Sequence, residues 1–205
     1  MRLMPVYSTP LWQSDFPDFE KHKDNFLSIV RKFREEHPAD DTRSNVGGYQ
    51  SPKRLHHVEE LNPLFEYICQ MGYQANDDLD FIECDIAITG AWLNVNDSRQ
   101  CMNAEHVHSD TFSGVFYLSA PEESGKLCLV NTGINPMWDG TELANRKNQF
   151  TSGTIKIEPE EGAIILFPSY LRHSVETNNH DEERISISFN LISVPKAEME
   201  LIKNL

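Results

Sequence analysis

With 205 residues, 24% of them charged and 39% hydrophobic, the chain is long enough to bury a core without metal or disulfide staples. It has neither the composition of a disordered chain nor the roughly 20 consecutive apolar residues that span a bilayer. A formal net charge of -14, uninterrupted by any basic run, makes nucleic acid and membrane surfaces poor partners. Cys69, Cys84, Cys101 and Cys128 show no CxxC or other zinc-type spacing, and the N-terminus has no basic region followed by an apolar stretch. Reduced thiols and a cytoplasmic location are expected.

In chain order, a short extended start at residues 6–12 precedes an amphipathic helix at 17–36. Phe19, Phe26, Ile29, Val30 and Phe33 fall at helical spacing there, and His37-Pro38 ends the pattern. A turn-rich stretch at 44–52 leads to a second helical pattern through Leu61, Leu64, Phe65, Ile68 and Met71. From residue 79 the texture changes to short β-type runs at 81–95, 112–118, 126–131, 153–157, 163–167 and 184–194, separated by Gly, Pro, Asn and Asp. Many short strands without intervening helices predict an antiparallel double-sheet barrel or sandwich. The expected organisation is one domain over 1–205, mainly β, with a largely helical part at 1–78 and a jelly-roll-like core at 79–205. The long irregular segment 132–149 has the length of a binding loop or lid, with Trp138 and Arg146 as its candidate substrate-selecting residues.

Three pieces can carry chemistry. Glu105-His106-Val107-His108-Ser109-Asp110 places imidazole, imidazole and carboxylate at alternate positions, which share a face if the segment is an extended strand. His173 follows the apolar run at 163–167 and could complete a metal site. A facial set of two histidines and one carboxylate leaves three positions open on iron(II) for substrate and oxygen. In the last strand Arg184, Ser186, Ser188 and Asn190 alternate with Ile185, Ile187, Phe189 and Leu191. A half-exposed strand also alternates, but a single Arg backed by small hydroxyls can grip a carboxylate through charge-assisted hydrogen bonds.

The order of an HxD or HxH element, a distal His and then Arg-x-Ser resembles the double-stranded β-helix 2-oxoglutarate/iron(II) oxygenases, of which prolyl hydroxylases are members. Ala91-Trp92-Leu93-Asn94, His106-Val107-His108 running into Ser113-Gly114-Val115-Phe116-Tyr117-Leu118, Gly162 through Phe167-Pro168 to His173, and the segment 184–190 are similar to an oxygenase family of marine bacteria and their phages. Thr9-Pro10-Leu11-Trp12 and Gly47-Gly48-Tyr49-Gln50-Ser51 extend the likeness over nearly the whole chain.

The resemblance implies iron(II) and 2-oxoglutarate as cofactor and co-substrate, with Arg184 on the distal carboxylate and Ser186 assisting. Tyr117 can donate to the same carboxylate or simply pack in the core; Asn94 can contact the keto-acid end or orient a ligand. The family's own element is His-x-His followed by Pro, whereas the wider superfamily has His-x-Asp, and both are available here. His108, Asp110 and His173 are the favoured trio because an anionic ligand is the commoner arrangement for iron(II); His106, His108 and His173 are the alternative.

The expected reaction is hydroxylation of an unactivated C–H bond in a small molecule or peptidyl residue, with O2 consumed and succinate and CO2 released. A homodimer is a default expectation. A cupin-type metal dioxygenase that needs no 2-oxoglutarate, and a non-catalytic binding barrel, are the competing readings.

Overall fold

The computed structural model describes residues 1–6, 8–37, 44–97, 101–133, 148 and 150–197. The first apolar stripe forms α1 (Phe19–Glu36), burying Phe19, Phe26, Val30 and Phe33. It stops at His37, whose backbone is extended, as the residue before a proline prefers. Two single 3-10 turns, Leu55–His57 and Glu59–Leu61, lead into α2 (Asn62–Asp78). Pro63 sits in the first turn of α2, where its missing N–H leaves no helical bond unmade.

Among the described residues the strands are β1 (Trp12–Asp15), β2 (Asn45–Val46), β3 (Tyr49–Gln50), β4 (Cys84–Asn96), β5 (Met102–His106) and β6 (Phe112–Ser119). They continue with β7 (Leu127–Val130), β8 (Thr154–Ile157), β9 (Ala163–Pro168), β10 (His173–Val175) and β11 (Arg184–Pro195). They build two antiparallel sheets, β1-β9-β6-β11-β4-β3 and β2-β5-β10-β7-β8. This is the expected mainly β, double-stranded β-helix architecture with helices packed outside it. The N-terminal part contributes more than helices, because β1 pairs with β9, β2 with β5 and β3 with β4. These strands are two to four residues long, too short for a period of two to register in the sequence.

The alternation in β11 decides which face of the larger sheet is which. Ile185, Ile187, Phe189 and Leu191 join Phe26, Val30, Leu64 and Ile68 of the helices in one apolar cluster. Each fully buried side chain of this size contributes about 1.5–3 kcal/mol. A one-residue slip would put Arg184, Ser186 and Ser188 under the helices instead, so the register is strongly specified. The opposite face, toward the second sheet, packs Val115, Ile165 and Phe167 against Leu127 and Leu129. The polar side chains of β11 share that inner space.

Candidate active site

Three neighbouring strands of the larger sheet make the floor of a cavity. Because β11 pairs with β4 on one side and β6 on the other, side chains align in rows: Asn94, Ser186 and Tyr117; then Trp92, Ser188 and Val115; then Gly90, Asn190 and Ser113. Arg184 lies at one end of these rows, opposite Asn96. The cavity holds about 530 Å3 of empty space including open solvent at its opening, and is lined by these rows apart from Gly90, together with Arg184, Phe167 and the three histidines described below.

Arg184 is 1% exposed. Its Nη1 donates to the carbonyls of Ser124 (2.6 Å) and Gly125 (3.0 Å). Gly125 is required there: its φ is +95°, and a Cβ would stand 2.3 Å from the Glu176 carbonyl oxygen and 2.9 Å from the guanidinium. Among the described residues no carboxylate pairs with Arg184. Two carbonyls fix the direction of the guanidinium but do not neutralise a charge whose burial costs several kcal/mol. Tyr117, 2% exposed beside it, has its pKa pushed up to about 12 by burial, against the opposing pull of Arg184. Its phenol stays protonated and can donate into the cavity.

The second sheet supplies the imidazoles. His106 closes β5 and is the direct cross-strand neighbour of His173 on β10, with ring centroids 4.2 Å apart. His108 lies beyond the strand, where its N–H donates to the Ser169 carbonyl at 3.0 Å. That bond brings its ring to 4.9 Å from His106 and 5.5 Å from His173. One ligand nitrogen from each of the three falls within 4.8 Å of the others. Nδ1 of His106 faces the Ala104 carbonyl (2.7 Å) and Nδ1 of His173 the Leu171 carbonyl (2.8 Å). A carbonyl only accepts, so Nδ1 carries the proton in both rings and Nε2 keeps its lone pair for a metal. Burial is the main force lowering all three pKa values, to about 4 for His108 and about 3 for His173. Near neutral pH the cluster is uncharged, the state in which imidazole binds a metal. This donor set fits a divalent transition-metal ion.

Asp110, in the trio favoured from sequence, stands outside this cluster. Its Oδ1 accepts from Thr89 Oγ1 (2.6 Å) and its Oδ2 from Asn190 Nδ2 (2.9 Å). The physical reason is that the strand ends at His106. Residues 109 and 110 form a bend, so the period-two rule that would put three side chains on one face no longer applies. The structure therefore assembles the alternative trio, His106, His108 and His173, with Asp110 bound into a polar chain that continues from Asn190 through Ser113 to Ser169.

Arg184, Ser186, Tyr117 and Asn94 all line the cavity that holds the histidines. Asn94 donates to Ser188 Oγ at 3.0 Å. The loop candidates Trp138 and Arg146 lie outside the described residues. Sequence reasoning missed Ser113 and Phe167 as cavity residues, and missed Lys53, whose ammonium sits 4.6 Å from the Trp92 ring centroid. Strand parity could have found Ser113, two and four residues before Val115 and Tyr117. Nothing local marks Lys53.

Comparison with solved structures places the chain on a shared fold. A non-heme alpha ketoglutarate dependent epimerase, SnoN from nogalamycin biosynthesis, is 12% identical with a TM-score of 0.66, over 90% of this chain and 78% of that one. A Pseudomonas putida prolyl-4-hydroxylase is 16% identical with a TM-score of 0.61, over 89% and 93%. A Trichoplax adhaerens prolyl hydroxylase, solved with a hypoxia inducible factor peptide fragment, is 13% identical with a TM-score of 0.62, over 93% and 86%. No curated protein matches the chain in sequence. Residues 90–190, from the middle of β4 to Asn190 on β11, match the sequence profile of the family described as "Putative 2OG-Fe(II) oxygenase". Over this stretch, just under half of the chain, the sequence is similar to the 2OG-Fe(II) oxygenases. No described helix is long and apolar enough to cross a membrane.

Proposed function

We propose that the chain binds iron(II) through His106, His108 and His173 and uses 2-oxoglutarate to oxidise a C–H bond of a small molecule or peptidyl residue. The observation that carries this reading is Arg184. A guanidinium 1% exposed, with no described carboxylate partner, opens into the same cavity as three neutral imidazoles. A dicarboxylate spanning the two satisfies both: one carboxylate and the keto group reach the metal, and the far carboxylate neutralises Arg184 through charge-assisted hydrogen bonds. Ser186 and the protonated Tyr117 supply further donors to that far end, and Asn94 stands in the same row. The bound metal, with 2-oxoglutarate and O2, supplies oxidative decarboxylation to succinate and CO2 and the oxidising power for the substrate bond. The protein's part is to hold the co-substrate extended across the floor and to keep water from a site walled by Val115, Phe167 and Trp92.

A cupin-type reaction without 2-oxoglutarate would suit three histidines but gives the buried Arg184 no role. Anaerobic addition of iron(II) and then 2-oxoglutarate tests the proposal: a weak visible charge-transfer band of the chelate is expected, and iron binding with no change on adding 2-oxoglutarate would count for the cupin reading. The metal assignment also predicts the behaviour of Asp110. Asp110→Ala retains iron with at most about a tenfold loss of affinity, the lower end of what losing an outer-shell partner costs, and titration of the variant with iron(II) measures it.

A further inference from the structure

His108 is the least restrained of the three imidazoles. His106 and His173 each have a ring nitrogen tied to a carbonyl, whereas among the described residues neither ring nitrogen of His108 has such a partner. Its place is set through its backbone, by the 3.0 Å bond from its N–H to the Ser169 carbonyl. Ser169 is fully buried, and its other two polar groups are committed as well. Its N–H donates to the Thr111 carbonyl (3.2 Å), one step past the Phe112 and Pro168 pair of β6 and β9, and its hydroxyl meets that of Ser113 (2.8 Å).

That hydroxyl belongs to a chain whose direction is fixed by chemistry. A carboxylate oxygen only accepts, so Asn190 turns its Nδ2 to Asp110 (2.9 Å) and its Oδ1 to Ser113 (2.9 Å). Ser113 spends its one proton on that oxygen, which leaves Ser169 to donate to Ser113. Every donor from Ser169 to Asp110 thus points the same way. The far end is held from β4, where Thr89 Oγ1 donates to Asp110 Oδ1 (2.6 Å). Thr89 is an extra residue in its strand: Asn190 pairs with Gly90 and Leu191 with Ile88, so a β-bulge leaves Thr89 without an opposite number on β11. Bulges re-aim side chains and are frequent beside active sites. The strands concerned are already joined by their backbones. What the side chains add is a fixed reference for the segment that carries His108.

We propose that Ser169, oriented through Ser113 and Asn190 by Asp110 and Thr89, is the positioning residue of His108. The inference rests on the assignment of His106, His108 and His173 as the metal ligands. Two imidazoles fixed through their own rings and a third fixed through a buried serine make one preorganised donor set. Asp110 acts on the metal through this chain of hydrogen bonds, not as a ligand and not through its charge.

The test is nickel(II) binding by the full chain, measured by calorimetry. Nickel(II) binds a given nitrogen site more tightly than iron(II), so affinities stay measurable after one histidine is lost. Ser113→Ala and Asp110→Ala should each weaken binding by about tenfold, the lower end of what losing an outer partner of a ligand costs. Asp110→Asn keeps an acceptor for Asn190 and should restore the affinity. In a His106→Ala background the tenfold effect should persist. In a His108→Ala background it should vanish, because a chain that acts through His108 then has nothing left to position. The same factor in both backgrounds would mark a general loosening of the barrel and overturn the inference, as would a loss in Asp110→Asn equal to that in Asp110→Ala. Thermal melts show whether each variant is folded at the titration temperature, and if Ser113→Ala melts below it, the half-buried Asp110 supplies the cycle alone. Failure of the unsubstituted protein to bind nickel(II) removes the metal centre and the inference with it, whereas unweakened binding in both single variants removes the inference only.

Discussion

Arg184→Met raises the 2-oxoglutarate concentration needed for half-saturation by roughly two orders of magnitude or more, the effect of truncating one partner of a buried, hydrogen-bonded charge pair. The same variant, without ligand, melts no lower than the unsubstituted protein. Replacing an uncompensated buried charge by an apolar side chain of similar length removes a desolvation penalty, and the lost bonds to the Ser124 and Gly125 carbonyls are a smaller term. The two readouts together separate ligand binding from structure. A guanidinium that only braces the barrel would give the opposite pair, a lower melting temperature with 2-oxoglutarate affinity retained. Thermal melts with and without saturating 2-oxoglutarate measure both, and the stabilisation by ligand should vanish in the variant.

His106→Ala and His173→Ala each lose iron(II) by more than the roughly 10- to 100-fold that removal of an outer-shell partner costs. The two rings are cross-strand neighbours with their Nδ1 atoms tied to carbonyls, so neither can move to cover for the other. The contrast with Asp110→Ala is the informative part. Should Asp110→Ala lose iron while His106→Ala keeps it, the metal would sit on the carboxylate trio, and the bend at residues 109 and 110 would have to open. Competitive titration against a coloured iron(II) chelator ranks the variants directly.

The final strand was the most legible part of the site. Its strict alternation is long enough to define two faces, and the structure puts Ile185, Ile187, Phe189 and Leu191 under the helices and Arg184, Ser186, Ser188 and Asn190 in the cavity. The two helices were legible for the same reason, each carrying an apolar stripe over several turns. The choice between His106 and Asp110 was not, because it depends on where a five-residue strand stops, and the bond that redirects the chain runs from His108 to Ser169, far away in sequence. Lys53 was invisible for a related reason. Its place depends on an absent side chain at Gly90 and an indole at Trp92, both brought to it by the pairing of β3 with β4.

The most direct test of the central claim is the fate of 2-oxoglutarate labelled at its first carbon, incubated in air with the iron(II)-loaded protein. Labelled CO2 and unlabelled succinate should appear in equal amounts, slowly without a primary substrate, and Arg184→Met should suppress both. Iron bound by the three histidines, with 2-oxoglutarate recovered intact after prolonged exposure to O2, would contradict the account.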